Sequence, residues 1–94
     1  FYAAQSYDAI MLIASAVEAV GGDMSDQDAF RAAIKAADFD SVRGDFAFGT
    51  NNMPVQNFYL REVVVDGNGD WTTKVVDTVL TNHVDPHAAD CQMN

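Results

Sequence analysis

Residues 4–20 constrain the fold most, because they predict a helix that is apolar around most of its circumference. The few polar residues of this segment fall on one narrow stripe at helical spacing, and apolar side chains occupy the other positions. A helix with so wide an apolar arc must be covered on more than one side. Gly21 and Gly22 end it, because glycine adopts the left-handed conformation at a helix C-terminus without a steric cost. The polar stripe consists of Gln5, Asp8, Ser15 and Glu18.

Residues 26–37 predict a second helix, of the ordinary amphipathic kind. Ser25 is the expected N-cap, since a serine hydroxyl accepts hydrogen bonds from the first free backbone N–H groups. Asp26 and Asp28 stand where the helix dipole favours negative charge, and Lys35 stands near the opposite end. The apolar stripe consists of Phe30, Ala33, Ile34 and Ala37.

Three strands follow the helices. The pattern predicts a short strand at residues 45–48, a longer one at 57–65 and its partner at 71–80. Asp66-Gly67-Asn68-Gly69 is typical of a tight hairpin turn between the last two. Strict alternation places one set of side chains of the last strand on a common face: Trp71, Thr73, Val75, Asp77 and Val79. The predicted fold class is therefore α/β, with two helices followed by a three-stranded antiparallel segment.

This set of elements leaves apolar surface without a partner. The first helix exposes more apolar surface than one helix and three strands can cover, and a three-stranded sheet has two open edges. We therefore expect the chain to pack against polypeptide outside these 94 residues, and to self-associate when isolated. Residues 82–94 are expected to form a polar tail.

The charge balance excludes some partners. Fourteen acidic and five basic residues give a net charge of −9, which repels nucleic acid and anionic membrane surfaces. Arg43, Arg61 and Lys74 are expected to be scattered surface charges. No apolar run reaches the roughly 18 residues of a membrane span, and no signal peptide precedes Phe1, so we expect a fragment or a processed product.

Several motifs in a fixed order resemble one family. Tyr7-Asp8-Ala9 followed by an apolar helix and Gly21-Gly22 is similar to a late helix of type I periplasmic binding proteins, the branched-chain amino-acid class of ABC-transporter solute-binding proteins. The second helix, residues 39–44 and the Val65-Asp66-Gly67 hairpin resemble the same family. The stretch Phe48–Asn52 departs from the family's Phe-Asp-x-x-Gly, because both the Asp and the Gly are replaced.

The resemblance implies a two-lobed α/β protein in the periplasm that closes around a small organic solute and hands it to an ABC permease. Residues 1–81 would form the C-terminal segment of this solute-binding protein. The expected solute is a branched-chain or other apolar amino acid, or an aromatic acid. Tyr2 is a candidate ligand contact, because in similar proteins the approach to this helix lies beside the cleft. Tyr7 is a second candidate, although such a tyrosine more often packs in a core.

The residues themselves predict no enzyme, no cofactor and no metal. Neither histidine has a group to position it for catalysis, since both lie in the polar tail. The tail carries ligand-type residues in no common metal motif: His83, Asp85, His87, Asp90 and Cys91. An Asp66-to-Asp77 calcium loop is rejected, because Trp71 stands where a glycine is required.

Two alternatives stay open. In an exported protein, Cys91 is expected to form a disulfide with a cysteine outside this chain, or to remain a free thiol. The alternative to the solute-binding function is a self-contained α+β interaction module that uses an exposed sheet edge.

Overall fold

The computed structural model describes residues 2–91 and confirms the α/β class with two helices and a three-stranded antiparallel sheet. In chain order the elements are α1 (Tyr2–Ala19), α2 (Gln27–Ala36), β1 (Ala47–Phe48), β2 (Pro54–Val65), β3 (Trp71–His83) and a single 3-10 turn (Ala88–Asp90). The sheet order is β1-β2-β3. Helix α1 packs against α2, and α2 packs against β1.

Both helices end in local structures set by a few residues. Gly21 and Gly22 have positive φ angles and donate their N–H groups back to the carbonyls of Glu18 and Val17, which confirms the predicted stop of α1. The N-cap of α2 is Asp26, so the prediction of Ser25 was wrong by one residue. The Asp26 carboxylate accepts two backbone N–H groups, at 3.1 and 3.0 Å, and a carboxylate also benefits from the helix dipole.

The two long strands exceed their predicted limits. β2 begins at Pro54, three residues before the predicted start, and β3 continues to His83, three residues beyond the predicted end. β1 is only two residues long. The predicted hairpin turn forms, with the Asp66 N–H donating to the Asp70 carbonyl at 2.8 Å.

The register between β2 and β3 slips three times near the base of the hairpin. The outermost pairs are Gln56 with His83 and Val65 with Trp71. Between them β2 advances by nine residues and β3 by twelve, so β3 contains three extra residues. Each extra residue on β3 forms a bulge that increases the twist of the two-stranded β2–β3 ribbon. The Asn82 N–H, on a residue with a φ of 47°, is accepted by the Asn57 side-chain oxygen at 2.8 Å.

These bulges correct the predicted faces of β3. Arg61 pairs with Val75 and Leu60 pairs with Asp77, and the two β2 residues point to opposite faces. Val75 and Asp77 therefore also point to opposite faces, and the common face predicted for 71–79 ends at Val75. Strict alternation predicts the wrong face for Asp77 because it assumes that every residue of β3 has a partner on β2, whereas the bulged residues have none.

Much apolar surface is uncovered, as the composition of α1 predicts. Only Asp8 and Ala16 are buried along α1, whereas Ile10 is 66% exposed, and β3 is exposed from residue 71 to 82. The radius of gyration is 16.6 Å, against about 12 Å for a compact domain of this length. The accessible area of 7055 Å² exceeds the area expected for this mass by roughly 1,700 Å².

Candidate functional site

A buried carboxylate joins the helical part of the chain to the loop before the sheet. Asp8 lies in the second turn of α1 and is only 2% exposed. Its oxygens accept three hydrogen bonds: from the Ser41 hydroxyl at 2.7 Å, the Val42 N–H at 3.0 Å and Arg43 Nε at 2.6 Å. The carboxylate therefore holds a loop that follows it by more than thirty residues.

Arg43 extends this connection to β2. Its side chain is 18% exposed, and its Nη1 donates to the Gln56 side-chain oxygen at 2.8 Å. The guanidinium carbon also lies 5.5 Å from the centre of the Phe46 ring, within cation–π range. Arg43 is thus a half-buried bridge between α1 and β2, and its prediction as a surface charge was wrong.

Gly44, the residue after Arg43, lies where the loop approaches β2 most closely in these contacts, beside Tyr59. The Tyr59 hydroxyl donates to the Arg43 carbonyl at 2.9 Å and accepts from the Asn57 amide at 3.2 Å. Gly44 has a φ of 96°, and a Cβ atom there would lie 2.9 Å from the Tyr59 hydroxyl oxygen. Glycine is therefore required at this position by both backbone conformation and space.

Opposing effects act on the acidity of Asp8. Burial alone would raise the pKa of this carboxyl, but the hydrogen bonds from Arg43, Ser41 and Val42, with the charge of Arg43, outweigh burial and lower the pKa below its ordinary value of 3.8. Asp8 is therefore ionised at neutral pH, and the network is a buried ion pair.

Two open cavities adjoin Arg43. One of about 210 Å³ lies between α1 and the loop, with largely apolar walls that include Leu12, Phe39 and Phe46. The other, of about 190 Å³, lies between the start of α1 and β2, and both Arg43 and Arg61 line it. The prediction that these two arginines are scattered was therefore wrong.

The tyrosines singled out in the sequence lie elsewhere. Tyr2 and Tyr7 are 79% and 51% exposed, and neither lines the two cavities beside Arg43. Their roles as ligand contacts remain predictions. The network residues Asp8, Arg43 and Gln56 were missed as a group. No local sequence signal marks the group, because Asp8 meets Arg43 across 35 residues.

The last described residues form a separate small cluster. Asn51 is 8% exposed and donates to the Asp85 carboxylate at 2.7 Å, which holds this part of the chain against the turn before β2. Cys91 is exposed and has no disulfide partner within the described residues, so both its pairing outside this chain and a free thiol remain predictions. Across residues 2–91, no three His, Cys, Asp or Glu side chains are grouped to hold a metal ion.

Within the described part of the chain, neither helix combines the length and the apolar composition that crossing a bilayer requires.

Comparison with known proteins identifies the family. The model of one family, described as periplasmic binding protein, matches residues 1–70, which include both helices, β1, β2 and the loop that carries Arg43. No curated protein and no solved structure matches the chain. Because the matched region covers well over half of the sequence, the chain belongs to the periplasmic binding protein family.

Proposed function

We propose that this chain is the C-terminal part of the solute-binding component of an ABC importer in the periplasm. The family supports a solute-binding role, and the motifs around Asp8 and Gly21-Gly22 resemble those of its branched-chain class. The proposed solute is small and organic: a branched-chain or other apolar amino acid, or an aromatic acid. The proposed partner is the membrane permease that receives it.

The observation that carries this proposal is the uncovered apolar surface. Roughly 1,700 Å² of excess accessible area is larger than the approximately 800 Å² that one partner contributes to a standard interface. The exposed apolar residues of α1 and of the β2–β3 ribbon lie on separate parts of the chain. A two-lobed protein would cover both, because the remaining chain would pack on α1 and around the ribbon.

The proposed mechanism is closure of two lobes around the solute. A solute that touches both lobes favours the closed state by its higher affinity for that state. Asp8, Arg43 and Gln56 support this mechanism by tying α1 to β2, so that the helices and the base of the ribbon would move together.

The test uses the protein encoded by the complete reading frame. Calorimetric titration with leucine, phenylalanine and benzoate should show one compound with a micromolar dissociation constant and a matching rise in melting temperature. If none of these compounds raises the melting temperature at millimolar concentration, the proposed solute classes are wrong. Small-angle scattering should show a smaller radius of gyration with solute, and an unchanged radius would refute lobe closure.

One observation favours a second function. The outer edge of β3 has no partner strand in residues 2–91, and its side chains are exposed from residue 71 to 82. An interaction module could add a partner strand there. Hydrogen exchange separates the two functions, since a partner strand would protect β3 amides with no added solute.

A further inference from the structure

Two of the five basic residues of this acidic chain line one cavity. The cavity has a volume of about 190 Å³ and lies between Ala4 of α1 and one face of β2. Asn57, Tyr59 and Arg61 follow each other at every second position of β2, so they share that face. Arg43 reaches the cavity from the loop.

The cavity offers more hydrogen-bond donors than its own residues use. A guanidinium carries five N–H groups. Arg43 directs two of its groups to Asp8 and Gln56, and Arg61 directs its Nε to the Thr73 hydroxyl at 3.1 Å. The remaining N–H groups of both arginines form no hydrogen bond with another described residue.

The charge of the cavity is positive although the chain is acidic. Asp8 balances Arg43 at 2.6 Å, whereas Arg61 forms no ion pair with any described carboxylate. No acidic side chain lines the cavity. Glu62 and Leu60 flank Arg61 and point to the opposite face of β2. Arg61 therefore contributes an uncompensated positive charge beside the cavity.

The size and walls of the cavity restrict what could bind. An engineered protein cavity of about 150 Å³ accommodates benzene, so 190 Å³ has room for a ring or a short aliphatic body. Ala4 and Tyr59 line the cavity and supply apolar wall. Guanidinium groups bind carboxylates with paired hydrogen bonds.

We propose that this cavity binds the carboxylate of a small organic monoacid, with Arg61 as its main charged contact and Arg43 as a second donor. The inference rests on the proposed solute-binding function and names the chemical group through which the solute is held. Asp8 acts through Arg43, because the hydrogen bond between them fixes the position of the guanidinium beside the cavity.

The test is a titration of the isotopically labelled chain with benzoate, followed by nuclear magnetic resonance. The Nε–Hε signals of Arg43 and Arg61 should shift and saturate within the millimolar range. Benzamide has nearly the same shape and no charge, so it should cause much smaller shifts. Arg61→Gln should weaken benzoate binding about tenfold or more, because a charged hydrogen-bonding pair is lost.

Arg31→Gln is the matched control, since Arg31 is another exposed arginine and lies on α2, away from the cavity. It should leave the benzoate affinity unchanged. Arg61→Lys should retain part of the affinity, because it keeps the charge and loses the paired donors. Arg61 is exposed, and preserved amide spectra of the variants would show that their fold is intact.

Three results would overturn the inference: no saturable shift in the unaltered chain, equal binding of benzamide, or equal affinity in Arg61→Gln. The proposed solutes and this binding site are tested by different results. If the protein from the complete reading frame binds a solute equally well with Arg61→Gln, the function stands and this site is wrong. If that protein binds none of the compounds, the proposed solute classes are wrong.

Discussion

Replacement of Asp8 by asparagine keeps the shape of the side chain and removes its charge. The asparagine side chain can take two orientations, because Ser41 and Arg43 Nε share one carboxylate oxygen and the Val42 N–H uses the other. If the oxygen accepts from Val42, the amide group faces the donors of Ser41 and Arg43; if the oxygen accepts from Ser41 and Arg43, the amide group faces the Val42 N–H, which is also a donor. The substitution therefore leaves a guanidinium that is 18% exposed without its counter-charge.

The cost of this substitution follows from the burial of the pair. Removing one partner of a fully buried ion pair costs about 3–5 kcal/mol. Because Arg43 keeps some contact with water, we expect a smaller loss of about 2–3 kcal/mol in the free energy of unfolding. For a chain of this length, such a loss lowers the melting temperature by roughly 10–20 °C.

The effect should also depend on pH. The pKa of Asp8 is lowered in the folded state, so between the folded and unfolded pKa values the unfolded chain binds more protons than the folded chain. The stability contributed by the ionised carboxylate is thus complete above about pH 5 and is lost as the pH falls through and below 3.8. The difference between the original chain and Asp8→Asn should shrink over the same range.

Urea unfolding at several pH values measures both effects. Asp28→Asn is the control, since Asp28 also pairs with an arginine but is 95% exposed, and its loss should cost under about 1 kcal/mol. The reasoning is refuted if Asp8→Asn and Asp28→Asn are equally stable at pH 7. It is also refuted if the cost of Asp8→Asn is the same at pH 3 as at pH 7.

Two further predictions concern the ends of α2 and the uncovered surface. Asp26→Ala should destabilise the chain by about 1 kcal/mol through loss of the N-cap, while Ser25→Ala should change stability much less; equal effects in thermal unfolding would contradict the assignment of the cap. The isolated chain should self-associate through its exposed apolar residues and the β3 edge, as the sequence predicts. Sedimentation equilibrium should show this at high concentration, and a stable monomer there would be evidence against it.

Local signals predicted most of the fold. Gly21-Gly22 and the 66–69 turn act within a few residues, and the structure ends α1 and joins β2 to β3 there. The cap of α2 was missed by one position because Ser25 and Asp26 are both good cap residues. Only the observed backbone angles of Asp26 and the direction of its side chain distinguish them.

Non-local features could not be predicted in the same way. Asp8 meets Arg43 across 35 residues, and nothing near Asp8 in the sequence distinguishes a buried acid from one on a solvated stripe. The three bulges depend on how the lengths of β2 and β3 match across the ribbon, which periodicity within one strand does not reveal. The cavity beside Arg61 depends on both features, and for that reason its arginines were predicted to be scattered.

The irregular pairing of β2 with β3 affects how the hairpin can move. All three register slips lie between Gln56 and Arg61, whereas the pairs from Arg61 to Val65 are regular. This regular end is about 14 Å long, so a 10° turn at the irregular base would move the tip by about 2 Å. Arg61 stands where the two parts meet. A molecule bound at Arg61 would therefore lie at the point about which the regular end turns. A small change in backbone geometry there would cause a larger displacement at the far end of the β2–β3 hairpin.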